Sequence, residues 1–157
     1  KDSRGDLVLL AELVEACVGD FQVLVGSGAL FYGALEIGAV GGIVAVGLMA
    51  PAQAAEISVA FREGRSADAG RWQEQIAPVH NQIVGGMGAS GIKAALDLLG
   101  LRGGGPRPPL APPPEARVEE VRRILNAASL LTVVAEPAPP TPCLARPGFV
   151  DTPSRGA

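Results

Sequence analysis

Apolar positions recur at helical spacing over residues 6–17, where Leu9, Leu10, Leu13 and Cys17 share a side and Asp6 stands where an N-cap belongs. Gly19-Asp20 reads as a turn. Residues 21–25 form a short apolar run with valines and an aromatic, which predicts a buried strand. Gly26-Ser27-Gly28 interrupts it, and residues 29–37 return to a helical pattern that ends at Gly38. Residues 42–47, with Ile43, Val44 and Val46, predict a second buried strand. Pro51 sits where a helix begins, and residues 52–62 continue it with Glu56, Arg62 and Glu63 on the wet side. Both strands are near-continuous apolar runs rather than alternating ones. That pattern predicts a parallel sheet covered on both faces, hence an α/β fold.

From Ser66 the pattern is helical only. Ser66 or Asp68 is the expected cap of a helix whose stripe is Trp72, Ile76, Val79 and Ile83, and Pro78 is expected to bend it or cost it a hydrogen bond. Ser90 is the expected cap of the next, with Ile92, Ala95, Leu96 and Leu99 inside and Gly100 just past its end. Residues 115–125 predict a last helix on Val118, Val121 and Leu125. Twelve of the fourteen prolines lie beyond Gly105, so regular structure is not expected throughout the last third. Residues 131–157 read as a disordered Pro-rich tail. The expected divisions are residues 1–65, 66–130 and 131–157.

Composition narrows the function classes. Of 157 residues 48% are apolar and 18% charged, enough to exclude a wholly disordered chain. A net charge of −3 gives no electrostatic reason to expect a nucleic-acid partner. Cys17 and Cys143 make neither a disulfide framework nor a metal knuckle, and His80, the single histidine, excludes a site that needs two imidazoles from this chain. His80 reads as an interior or half-exposed helix residue. Residues 37–55 carry no charge, but their four glycines and one proline favour a buried strand leading into a helix over a membrane span. The Gly26-Ser27-Gly28 turn lacks the third glycine of a dinucleotide fingerprint, and Gly86 to Lys93 misplaces the lysine of a phosphate loop. The chain opens without an initiator Met or a signal-peptide pattern, so residues 1–6 are expected to be the interior of a longer protein.

Four segments carry a resemblance. They are Lys1-Asp2-Ser3-x-Gly5-Asp6; Phe21-Gln22-Val23-Leu24-Val25-Gly26-Ser27; Gly38-Ala39-Val40-Gly41-Gly42-Ile43, running on to Ala50-Pro51; and Gly88-x-x-Gly91-Ile92-Lys93, followed by Gly103-Gly104 and Arg107-x-Pro109-Leu110. In this order, over about residues 1–125, they resemble the dihydrodipicolinate synthase / N-acetylneuraminate lyase family of class I aldolases. The second and fourth segments look closest to the 4-hydroxy-2-oxoglutarate aldolase branch. The resemblance implies strands six to eight of a (β/α)8 TIM barrel, followed by a helical C-terminal bundle. Lys1 would end the sixth strand, residues 21–25 would be the seventh and residues 42–47 the eighth. The carboxyl ends of barrel strands are where such enzymes keep their chemistry.

By the same resemblance, Lys1 is the expected catalytic residue. It forms a Schiff base with the keto carbon of pyruvate or another 2-oxo acid. The amine must be neutral to attack, and enclosure in a barrel mouth favours the neutral form. Ser3, Gly26, Ser27 and Ile43 are the expected substrate-binding positions. No metal and no cofactor is implied. The expected activity is cleavage of a 4-hydroxy-2-oxo acid to pyruvate and an aldehyde. Dihydrodipicolinate synthase and a non-catalytic subunit that pairs with full-length chains are the alternatives. Leu48 stands where the family has an Asn, and Tyr32 falls on the helix after the seventh strand, so it is not the family's proton-shuttling tyrosine. The chain alone is expected to be inactive and oligomeric or poorly soluble, and the whole enzyme a tetramer. The expected compartment is the cytoplasm, or the mitochondrial matrix in a eukaryote.

Overall fold

The computed structural model describes residues 1–17, 19 and 21–131. Asp6 opens helix α1 (Leu7–Ala16) from an extended backbone. Its carboxylate accepts from the amides of Val8 and Leu9 at 2.8 and 3.1 Å. One side chain thus satisfies two N–H groups that the helix cannot satisfy internally. Leu10 is fully buried, and Leu7, Leu13, Val14 and Cys17 pack partly beneath it.

Three extended segments then lie side by side. Strand β1 (Leu24–Val25) pairs in parallel with β2 (Gly41–Gly42), Leu24 opposite Gly41 and Val25 opposite Gly42. On the other side of β1, the amide of Asp2 donates to Leu24 O at 2.8 Å and that of Gly26 to Asp2 O at 2.6 Å. Asp2 is therefore a third parallel partner, bridged to Val25. Between the strands the chain crosses over through a 3-10 turn (Gly28–Leu30) and helix α2 (Phe31–Glu36). Gly38, at φ +101, turns it back toward the sheet.

The second strand is displaced from its expected place. The ladder reaches only from Val40, whose amide donates to Val23 O, to Ile43, whose amide donates to Val25 O. Beyond it, Ala45–Leu48 coils into a 3-10 helix rather than continuing as strand. A short apolar run fits a buried strand and a buried helical turn equally well. Tertiary packing decides here: Val46 is fully buried and lies against Gly28, at the point where a larger residue would carry its Cβ.

Helix α3 (Pro51–Arg62) begins with Pro at a first-turn position, where no amide is needed. Helix α4 (Ser66–Val79) follows. Neither Ser66 nor Asp68 caps it; Arg65 holds the N-cap position without a side-chain cap, and Asp68 accepts from Arg65 and Arg71 instead. The expected stripe is present, with Ile76, Val79 and Ile83 fully buried and Trp72 partly so. Pro78 lies just before a π-helical segment (His80–Gly85) that leads into α5 (Gly86–Leu98). Within α5 the backbone breaks at Gly88 (φ 59, ψ −149), a conformation open essentially to glycine alone. Ser90 lies inside this helix, not at its cap, and its hydroxyl donates to Ala111 O at 2.9 Å. Helix α6 (Glu115–Ala127) closes the described part, its end tied to α4 by Gln75 Nε2 donating to Ala128 O at 2.7 Å.

One buried cluster joins the helices and β1, from Leu10 through Val25, Val46, Ile57 and Ile76 to Leu125. Residues 37–55 divide among β2, a 3-10 turn and the start of α3. No helix among the described residues is long and apolar enough to cross a membrane. The expected tail lies, apart from Leu131, outside the described residues.

Candidate active site

The three parallel segments set the geometry. One step beyond the observed register, Ser3, Gly26 and Ile43 come to one level at the carboxyl ends. Side chains alternate along a strand, so Lys1 and Ser3 project to the face opposite Asp2. Asp2 is held away by Arg4, whose Nε donates to its carboxylate at 2.7 Å and keeps that carboxyl below its ordinary range. Lys1 and Ser3 converge on Gly26: a Cβ built there would lie 2.6 Å from Lys1 Cε and 2.9 Å from Ser3 Cβ. Glycine is required for this close approach, since the space is already filled by the other two side chains.

Four of the five expected site residues are thus brought together: Lys1, Ser3, Gly26 and, in the same row, Ile43. Ile43 is exposed (59%). Lys1 is exposed as well, so the enclosure implied around it does not come from the described residues. Ser27 is next in sequence but turned the other way. It is the one buried polar side chain among the described residues (7% exposed), and its Oγ lies 3.4 Å from His80 Nε2.

His80 is the residue that sequence reasoning set aside. The amide of Gly28 donates to its Nδ1 at 3.3 Å. An imidazole that accepts at Nδ1 while neutral carries its proton on Nε2, so Ser27 Oγ accepts from it. Burial pushes the imidazole pKa down, which favours this neutral form. Nothing local in the sequence marks His80, because its partners lie more than fifty positions upstream.

The described residues contain no group of three or more His, Cys, Asp and Glu able to hold a metal ion. Cavities lie elsewhere. One of about 490 Å³ sits between α4 and α6 and is lined by Glu74, Pro78 and Arg123. Another, of about 690 Å³, is lined by Lys93, Arg102 and Pro112. Neither includes Lys1.

Lys1, Ser3 and the close-packed Gly26 lie at the carboxyl ends of parallel segments, the end at which TIM-barrel enzymes carry their chemistry. The chain belongs to the dihydrodipicolinate synthetase family, whose model matches residues 1–128. It is 30% identical over 131 residues to the 4-hydroxy-tetrahydrodipicolinate synthase of Nitratidesulfovibrio vulgaris (strain DP4), covering 83% of this chain and 45% of that one. Among solved structures it is similar to a putative dihydrodipicolinate synthase from Thermus thermophilus, at 36% identity and TM-score 0.68, over 82% of this chain and 46% of the other. It is also similar to the dihydrodipicolinate synthase of Acinetobacter baumannii complexed with pyruvate, at 27% identity and TM-score 0.76, over 83% and 45%. The chain spans about half the length of the curated relatives it matches. Its fold corresponds to part of the TIM barrel of these structural neighbours.

Proposed function

We propose that this chain is the C-terminal part of a Schiff-base-forming, pyruvate-dependent aldolase or lyase, with Lys1 as its nucleophile. The observation that carries the reading is the convergence of Lys1 and Ser3 on Gly26 at the carboxyl ends of three parallel segments. Exposed apolar side chains, Val8, Phe21 and Val40, support a barrel that continues in a further part of the protein. The pyruvate complex of the Acinetobacter baumannii relative supports the 2-oxo acid.

In this reading the neutral Lys1 Nζ attacks the keto carbon of pyruvate, and water leaves to give an iminium. The iminium draws electrons from the adjacent carbon, which loses a proton and becomes the nucleophilic carbon of an enamine. That carbon adds to an aldehyde. In reverse, breaking the same bond releases the aldehyde and leaves the enamine. Gly26 provides main-chain wall and Ile43 apolar wall, while the Ser3 hydroxyl hydrogen-bonds the substrate. The proton shuttle comes from outside this chain's residues.

Two readings differ in the aldehyde. Our first is cleavage of a 4-hydroxy-2-oxoglutarate-like acid, supported by the residue pattern of 21–27 and 88–93. The second is condensation with aspartate semialdehyde, supported by the names of the curated relatives. Treating the full-length protein with pyruvate and borohydride and mapping the adduct tests the common step. A reduced adduct on the side chain of Lys1, lost in Lys1→Arg, is expected. An adduct elsewhere, or none, refutes the reading. Turnover with each aldehyde then separates the two.

A further inference from the structure

Building on the aldolase reading, we propose that Gln73 and His80, both on the α4 side of the core, clamp the turn that follows β1 and so hold Gly26 against Lys1 and Ser3. Gln73 grips one side of the turn. Its Nε2 donates to Gly28 O and to Ala29 O, each at 3.0 Å, and its Oε1 accepts from the amide of Tyr32 at 2.8 Å. His80 grips the other through the Gly28 amide and the Ser27 hydroxyl. The two residues are seven positions apart, about two helical turns, so they project from one face.

The turn needs this support. Tyr32 lies in the first turn of α2, where amides have no partner within the helix. Gly28 is buried, so its amide and carbonyl must find protein partners. A Cβ at Gly28 would lie 3.2 Å from His80 Nδ1, which puts backbone and ring in direct contact. The clamp has no contact with the substrate. Gln73 and His80 are positioning residues, acting through a main chain that ends in the wall of the site.

The test uses the full-length protein and two readouts. The first is amide hydrogen exchange at Gly28 and Tyr32, which judges the clamp without reference to activity. The second is the split between KM for pyruvate and kcat. Gln73→Leu is expected to speed exchange at Tyr32, and His80→Leu to speed it at Gly28. Each is expected to raise KM about tenfold with kcat changed less than about threefold. His80→Asn places an acceptor where Nδ1 stood, and is expected to restore both Gly28 protection and KM. Unchanged exchange in the leucine variants overturns the clamp. So does His80→Asn falling as far as His80→Leu. If the wild-type protein forms no pyruvate adduct, the aldolase reading falls, while the exchange measurements still decide the clamp.

Discussion

Replacing Gly26 by alanine separates catalysis from stability. The backbone of Gly26 lies outside the left-handed region, so an L side chain meets no conformational barrier. The obstacle is contact. The added methyl would overlap Ser3 Oγ, its nearest neighbour, and would lie 2.6 Å from Lys1 Cε and 2.9 Å from Ser3 Cβ, where ordinary contact begins at 3.4 Å. Lys1 Cε is near the far end of a flexible exposed chain and retreats cheaply, by about 1 Å, a displacement that costs on the order of a hundredfold in a positioned reaction. Ser3 Oγ must rotate aside, and Ser3 Cβ, one bond from the backbone, clears the methyl only if its segment shifts by a few tenths of an ångström; together these cost about 1–2 kcal/mol. Lower entropy of the unfolded alanine chain offsets about 0.4–1 kcal/mol of that. The full-length Gly26→Ala protein is therefore expected to lose no more than about 2 kcal/mol of stability. Its rate of pyruvate adduct formation on Lys1 should fall about a hundredfold. Denaturant titration and single-turnover borohydride trapping measure the two. A variant that traps pyruvate at the wild-type rate would refute the placement of Lys1 against Gly26.

Three further outcomes are expected. Asp6→Ala removes the acceptor for the Val8 and Leu9 amides and should cost about 1 kcal/mol in urea denaturation, while Asp6→Asn stays close to wild type. Ile76→Ala opens a cavity in the fully buried stripe of α4 and should cost about 2–5 kcal/mol, read as a lower midpoint at constant slope. His80 titrates below its ordinary 6.5, so the unfolded chain takes up its proton first. Its contribution to stability is present above pH 6.5 and is lost as pH falls toward the depressed value. The thermal midpoint should decline on acidification below 6.5, and His80→Asn should flatten that decline. The carboxylates of Asp2 and Asp68 are shifted down from 3.8, so their loss comes at lower pH and does not mask it.

Features that depend on neighbours along the chain are legible in the residues alone. Asp6 caps α1 because its carboxylate reaches amides two and three residues on. Pro51 starts α3 because its fixed backbone suits a first turn. The stripe of Ile76, Val79 and Ile83 follows from helical periodicity alone. The order of parallel strands and crossover helix was legible from unbroken apolar runs, and the positions of Lys1, Ser3, Gly26 and Ile43 from motif resemblance. Where β2 stops depends on packing between elements, because Val46 is buried against Gly28. Tertiary structure also turned Ser27 away from Lys1 and toward His80, and set Gln73 across the turn after β1. Those contacts span 41 to 53 positions, and each satisfies a polar group that local structure leaves open. Periodicity shows which face of a helix is buried. It does not show which main-chain groups on the far side of the core lack a partner, and folding assigns Gln73 and His80 to them.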